Sequence, residues 1–292
     1  MRLGLEIGRL TPSDHAWLLA LFDSQQACHL HLDWRPLAAW LASPELSCWV
    51  MRTHGRVAAA LGAAQKRGGV AWLRFGLQTG QAPPGTLDEL WEALRADLVG
   101  RGVALVGILV LDEWIEMHTP SWGFRQTNAV VTYRRYGTAP LPAWQRSPEQ
   151  AQRLPKGLLI RPADQTDLEP VACVDEAAFE PLWQQDLAML SATSLVAETF
   201  TITELNGEVV GYQLSTRSGD VGHLARLAVE PRWQRHGLGW ALVADMLNFF
   251  HRTGATGVTV NTQQDNLVSQ RLYERMGFRP TGNRVPVWTL DL

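Results

Sequence analysis

Residues 227–239 read LAVEPRWQRHGLG, an apolar run that passes through a turn with two glycines. The segment 222–229 predicts a strand. Beyond the turn, Leu238, Ala241, Leu242, Met246, Phe249 and Phe250 keep the i, i+3, i+4 rhythm of a helix with one buried stripe. A helix over 237–252 follows, with Gly254 as its C-cap. The first amides of a helix have no partner within it, and the helix dipole adds about half a positive charge there. Glycine lets a ligand come close to the backbone. The turn therefore has the chemistry of an anion cradle suited to a pyrophosphate. Arg235 adds a charge-assisted contact. The spacing is not the G-x-G-x-x-G of dinucleotide folds, and no Gly-Lys-Ser/Thr follows to make a P-loop.

Reading outward, residues 158–161 predict a strand and Thr166-Asp167 opens a helix. Residues 198–204 and 209–215 predict a hairpin around Asn206-Gly207, a dipeptide that supplies the positive φ angles of a tight turn. A strand over 257–261, a helix over 266–276 and a final strand over 285–290 complete this half. The pattern then recurs in the first half. Ile7 to Asp14 precedes Ile160 to Asp167 by 153 residues, and His54-Gly55 precedes Asn206-Gly207 by 152. Arg74 precedes Arg226, and Gly102 precedes Gly254, by the same 152; Trp122-Gly123-Phe124-Arg125 precedes Met276-Gly277-Phe278-Arg279 by 154. Two copies of one domain are expected at 1–138 and 157–292. A linker at 139–156 holds Pro140, Pro142, Pro148 and Pro155. The fold class is α+β, each copy a mixed, largely antiparallel sheet with helices on both faces.

Downstream of the glycine turn, residues 266–278 read NLVSQRLYERMGF. The strand Leu-Ala-Val-x-Pro, the Q-x-x-G-x-G turn and N-x5-L-Y-x3-G-F occur in the order and spacing of the GNAT superfamily of N-acetyltransferases. The second copy resembles that family along its whole length, and the first resembles a degenerate member. The resemblance implies acetyl-CoA as co-substrate. Its pyrophosphate would sit on the amides of Arg235, His236, Gly237, Leu238, Gly239 and Trp240, with Gln234 opening the turn. Its pantetheine arm would pair with Leu227, Ala228 and Val229. Asn266 would touch the CoA arm, and Tyr273 would be the acid for the departing thiolate. The general base stays open. Asn261 occupies one position where relatives carry Glu, and His223 falls near another; Glu230 and Asp220 are further candidates.

At the 152 offset the first copy's turn becomes Gln81-Ala82-Pro83-Pro84-Gly85-Thr86, in which two prolines delete amide donors. Thr119 and Asp112 stand where Tyr273 and Asn266 stand in the second copy. That copy is expected to fold without a CoA site. Composition bounds the rest. The 292-residue chain is 46% apolar with a net charge of −3, so there is no basic field for a nucleic acid. Cys28, Cys48 and Cys173 form no disulfide framework or zinc spacing, and no metal site is expected. No apolar run spans a membrane. A cytoplasmic N-acetyltransferase acting on a small-molecule amine is the expectation. Alternatives are a CoA-binding sensor or scaffold with decayed catalysis and an acyltransferase for longer acyl-CoA. Nine of the thirteen tryptophans precede residue 145, as extra core or as an aromatic wall.

Overall fold

The computed structural model describes residues 5–24, 27–137 and 154–292. Of the expected linker, Pro140, Pro142 and Pro148 lie outside the described residues. The chain forms two compact units, Met1–Ala129 with Val285–Leu292, and Val130–Arg284.

The first unit runs β1 (Leu5–Arg9), α1 (His15–Asp23), β2 (Cys28–Leu30), α2 (Leu37–Leu41), β3 (Leu46–Thr53), β4 (Arg56–Lys66), β5 (Val70–Gln78), α3 (Thr86–Gly100), β6 (Leu105–Leu109), α4 (Glu113–Glu116) and the start of β7 (Arg125–Tyr136). Strands β1, β3, β4 and β5 form an antiparallel series, and β6 joins β5 in parallel. Leu87, Leu90, Trp91, Leu94 and Leu98 of α3 pack on one face against Leu61 and Leu73. Leu18 and Phe22 of α1, with Leu37 and Leu41 of α2, cover the other face against Val50, Ala60 and Phe75. Each such buried side chain is worth about 1.5–3 kcal/mol, so the helical stripes hold the two faces covered.

The second unit repeats the plan with β8 (Leu159–Pro162), α5 (Leu168–Ala178), α6 (Leu187–Ser194), β9 (Thr199–Leu205), β10 (Glu208–Ser218), β11 (Val221–Val229), α7 (Leu238–Arg252), β12 (Gly257–Gln263), α8 (Leu267–Arg275) and the start of β13 (Arg279–Asp291). Ala241, Met246 and Phe250 of α7 pack with Leu224, Val258 and Val260, together with Tyr273 and Met276. On the opposite face, Val171 and Val174 of α5 and Leu190 of α6 pack against Ile202, Tyr212 and Leu214. The mixed α+β architecture follows the sequence pattern.

The repeat extends to backbone detail. His54 and Gly55, and likewise Asn206 and Gly207, take positive φ at their hairpin turns. The segments before α1 and α5 close with capping boxes, Thr11 with Asp14 and Asp164 with Asp167. The final strands depart from the expected boundaries. β13 starts at Arg279, earlier than expected, and its Val287–Asp291 portion pairs antiparallel with β6 of the first unit. The Val130–Tyr136 portion of β7 pairs with β12 of the second. The compact units are therefore not the contiguous segments 1–138 and 157–292. Alternation along a strand dictates which face it buries, but two repeats offer chemically equivalent edges to two equivalent strands. Linear pattern alone does not say which edge each strand takes.

Candidate active site

Strand β11 is the frame of the site. It pairs with β12 in parallel only from Val221↔Gly257 to Leu224↔Val260. On its other edge it stays paired with β10 as far as Val229↔Gly211, through a bulge that leaves Ala225 without an opposite residue. An extra residue bends a strand and increases its twist, which turns β11 away from β12. Beyond Leu224 the β12-facing edge of β11 has no strand partner among the described residues. Leu227, Ala228 and Val229 lie in this stretch; in the antiparallel alternation Ala228 turns its main-chain groups to β10, which leaves Leu227 and Val229 facing the open edge for strand addition.

The splay is clamped from behind. The carboxylate of Asp175 on α5 is fully buried and accepts from Arg226 Nε at 2.7 Å and Nη2 at 2.8 Å. It also accepts from the Tyr212 hydroxyl. The Arg226 guanidinium donates to Trp183 O at 2.8 Å and lies 3.7 Å from the Phe179 ring centroid. Arg226 is thus held through Nε and Nη2 and on one face. The clamp is absent from the sequence expectations; its only trace there is the repeat of Arg74 at Arg226.

The glycine turn follows the open edge. Gln234 Nε2 donates to Val229 O at 3.1 Å, which ties the turn to the end of β11. Arg235 takes φ 64° and Gly237 φ 87°, so the main chain reverses in the left-handed region just before α7. Glycine adopts that region at no steric cost. The first ladder bond runs from the Ala241 amide to Gly237 O at 3.0 Å. The amides of Arg235, His236, Gly237, Leu238, Gly239 and Trp240 carry no hydrogen bond among the described residues. A row of donors at the N-terminus of the 15-residue α7 is a seat for an anion. Arg235 and His236 are exposed beside it, and His236 Nδ1 lies 2.9 Å from Gln234 O. A Cβ on Gly239 would meet Leu272 Cδ2 at 3.5 Å, ordinary contact distance.

On the far side of the cleft, Asn266 caps α8, its Oδ1 accepting from the Ser269 amide at 3.1 Å. The cap uses the side-chain oxygen and not the NH₂ group. Tyr273, about two turns further on, is buried between the rings of Tyr133 and Phe278. Burial raises its pKa above the ordinary tyrosine value, with Ser269 opposing in part. On β11, His223 Nδ1 lies 2.9 Å from Thr259 Oγ1, and burial lowers the imidazole pKa. Asn261 Oδ1 accepts from Thr132 Oγ1 at 2.9 Å. The other two base candidates stand at opposite ends of β11. Asp220 holds Thr256 Oγ1 at 2.8 Å, and Glu230 is paired with Arg232 at 2.8 Å. His223 is the candidate beside the point of splay.

The same location in the first unit is closed. β4 occupies one edge of β5 along its length. β6 pairs with the other edge only from Val70 to Trp72, and β2 takes up that edge from Phe75 to Leu77. Cys28, His29 and Leu30 therefore pair with the edge of β5 whose counterpart on β11 stays open. In the turn, the Ala82 amide donates to Thr79 O at 3.0 Å and the Thr86 amide to Pro83 O at 3.3 Å. Gly85 keeps the left-handed cap, with φ 82°. The cap geometry survives, and the donor row loses Pro83, Pro84 and Thr86. The clustered His29, His31 and Asp33 serve this plug: Asp33 binds Arg74 Nη1 at 2.5 Å and His31 Nε2 at 2.9 Å.

Residues 164–278 match the model of the acetyltransferase (GNAT) family. This stretch of the chain carries the likeness to the GNAT family. The matched segment lies in the second unit, and the chain is an acyltransferase. Over 123 residues it is 29% identical to an uncharacterized N-acetyltransferase of Methanocaldococcus jannaschii, covering 42% of this chain and 78% of that one. Over 79 residues it is 29% identical to the [ribosomal protein bS18]-alanine N-acetyltransferase of Escherichia coli K12, covering 27% of this chain and about half (53%) of that enzyme. Among solved structures, a tandem GNAT protein from the clavulanic acid biosynthesis pathway superposes with TM-score 0.61 at 18% identity, covering 98% of both chains. A GCN5-related N-acetyltransferase from Sphaerobacter thermophilus superposes with TM-score 0.60 at 17% identity, covering 98% of this chain and 95% of the other. At those identities the likeness concerns the tandem GNAT fold. GNAT enzymes use acetyl-CoA as co-substrate. Among the described residues no helix is long and apolar enough to cross a membrane.

Proposed function

We propose that the second unit moves an acetyl group from acetyl-CoA to the primary amine of a small molecule by direct attack on the thioester. The observation that carries this reading is the continuity of the open β11 edge with the unpaired amides of Arg235 to Trp240. The edge offers main-chain pairing to a pantetheine arm and the amides offer a pyrophosphate seat. Asn266, with its remaining NH₂ group, faces the arm from α8.

In this reading a main-chain amide of the splayed edge polarises the thioester carbonyl as it becomes tetrahedral. The neutral amine nitrogen forms the new C–N bond, the C–S bond breaks, and the departing thiolate takes the Tyr273 proton. His223, held neutral by burial, accepts the proton lost by the amine. A protein amino terminus is the second reading of the acceptor, favoured by the similarity to the enzyme named for ribosomal protein bS18 alanine. A thiol-release assay over small amines and an alanine-initiated peptide tests both. Binding of acetyl-CoA without release for any amine would support a sensor, and absence of binding would sink the enzyme and the sensor together.

Tyr273→Phe is expected to lower kcat by about 100-fold or more, the usual range for loss of a general acid, with the KM for acetyl-CoA little changed. Equal kcat would make Tyr273 a packing residue only. Its raised pKa carries a further consequence. A hydroxyl that titrates above its ordinary value stays protonated through mildly alkaline solution. The kcat profile should hold to at least about pH 10; a fall centred near pH 8 or 9 would exclude Tyr273 as the acid.

A further inference from the structure

The first unit has an open pocket of ≈ 400 Å³ between the end of β5, the turn before α3 and α4. Gln78, Thr79, Pro84, Asp88, Trp114 and His118 are among its walls, and no lysine or arginine lines it. The pocket occupies the place that holds the phosphate seat in the second unit, but its electrostatics are reversed. The prolines carry no N–H, and the amides of Ala82 and Thr86 are spent on Thr79 O and Pro83 O. Asp88 and Glu89 stand in the first turn of α3, where the 152 offset puts Trp240 and Ala241 in α7. Of the two, Asp88 lines the pocket, and its full negative charge outweighs the half positive charge of a helix N-terminus. Anions are turned away and cations are favoured.

The walls are built rather than incidental. Asp88 Oδ1 accepts from Trp122 Nε1 at 2.8 Å, which fixes the carboxylate. Trp122 stacks on Trp91 at 5.3 Å between centroids and on His118 at 5.6 Å, and Trp114 meets His118 edge-on at 5.9 Å. A supported column of rings thus ends at the pocket beside a fixed carboxylate. Aromatic faces next to a carboxylate recognise an ammonium group on an apolar body, and the volume is in the range of small-molecule sites.

We infer that the first unit binds a small organic ammonium ion in this pocket, at the site its repeat partner devotes to an anion. The inference is independent of the acetyl transfer proposed above. Calorimetric titration of the full chain without acetyl-CoA, using phenethylammonium, cyclohexylammonium and tetramethylammonium against phenylpropionate as the anionic control, tests it. At least one ammonium ion should bind in the millimolar range or better, with phenylpropionate weaker by about tenfold or more. Asp88→Asn keeps an oxygen acceptor for Trp122, so it should preserve the fold and still lose about tenfold in affinity. Trp114→Ala should lose a comparable factor. Gly239→Glu, in the second unit's turn, should bind ammonium like the wild type. No ammonium binding, equal binding of phenylpropionate, or affinity unmoved by both first-unit substitutions would overturn the inference. So would affinity lost in Gly239→Glu and kept in Asp88→Asn. Acetyl transfer does not enter the readout, so failure here leaves the reading of the second unit standing.

Discussion

Gly239→Glu is expected to lose about 100-fold or more in affinity for CoA, with a thermal midpoint at or above that of the wild type. Gly239 is the second residue of α7 and its φ is not in the left-handed region. A side chain there meets Leu272 at ordinary distance. A carboxylate in the first turn favours the helix by about 0.3–1 kcal/mol, and replacing a helical glycine adds about 0.5–1 kcal/mol. The same carboxylate opposes a pyrophosphate at the seat. Two charges about 4 Å apart interact by about 4 kcal/mol at an effective dielectric near 20, more than the ~2.7 kcal/mol that a 100-fold loss requires. Gly237→Glu is the poorer probe. Gly237 has φ 87°, and its Cβ would approach Leu154 Cδ2 to 3.3 Å. A residue forced into the left-handed region costs about 1–2 kcal/mol, so that variant mixes lost binding with lost stability. Calorimetry with CoA beside a melting curve checks the prediction. Unchanged affinity in a folded Gly239→Glu chain would remove the phosphate from this turn.

Asp175→Ala should destabilise the protein by about 3–5 kcal/mol, the range for stripping one partner from a buried ion pair. Asp175 is fully buried, and Arg226 and Tyr212 both spend donors on it. Removing the carboxylate strands a guanidinium and a hydroxyl together. Replacing both charged partners by apolar ones is far less costly than removing one. Asp175→Leu with Arg226→Met should therefore recover a substantial part of the loss, a coupling expected only of residues in contact. Urea unfolding of the single and double variants gives the test. A single variant within about 1 kcal/mol of the wild type, the scale of an exposed pair, would show that the clamp carries little. The functional consequence lies on the same element. Arg226 sits in the open stretch of β11, one residue past the bulge, so a loosened clamp should raise the KM for acetyl-CoA in the molecules that stay folded.

Much of the second unit is legible in residues 227–239 and 266–278. Local chemistry controls those elements. A helix stripe, an Asn-Gly hairpin and a glycine with positive φ are decided within a few residues, and the structure places them as the spacing predicts. The first unit's missing donors are legible too, because Pro83 and Pro84 cannot donate wherever they fold. The plug by β2 is not. Cys28-His29-Leu30 is too short to announce a strand, and its partner edge at Phe75 to Leu77 lies more than forty residues away. The Asp175 clamp is hidden for the same reason, since 51 residues separate Asp175 from Arg226. The tryptophans divide along this line. Trp91 and Trp122 are core, as composition suggests for single tryptophans. Only the fold shows that Trp114 and His118 end their column at a pocket.

The sequence by itself determined that there are two repeats of one α+β plan, that the second keeps a glycine turn before a helix, and that the first has prolines there. These are properties of neighbouring residues, and backbone sterics enforce them locally. The tertiary structure alone decided which edges the last strands take, which open edge β2 fills, and that β11 stays splayed against a buried Asp175. Those outcomes depend on pairing between segments far apart in the chain. Several edges and acceptors of equal local chemistry compete for them, and only the packed chain selects among them.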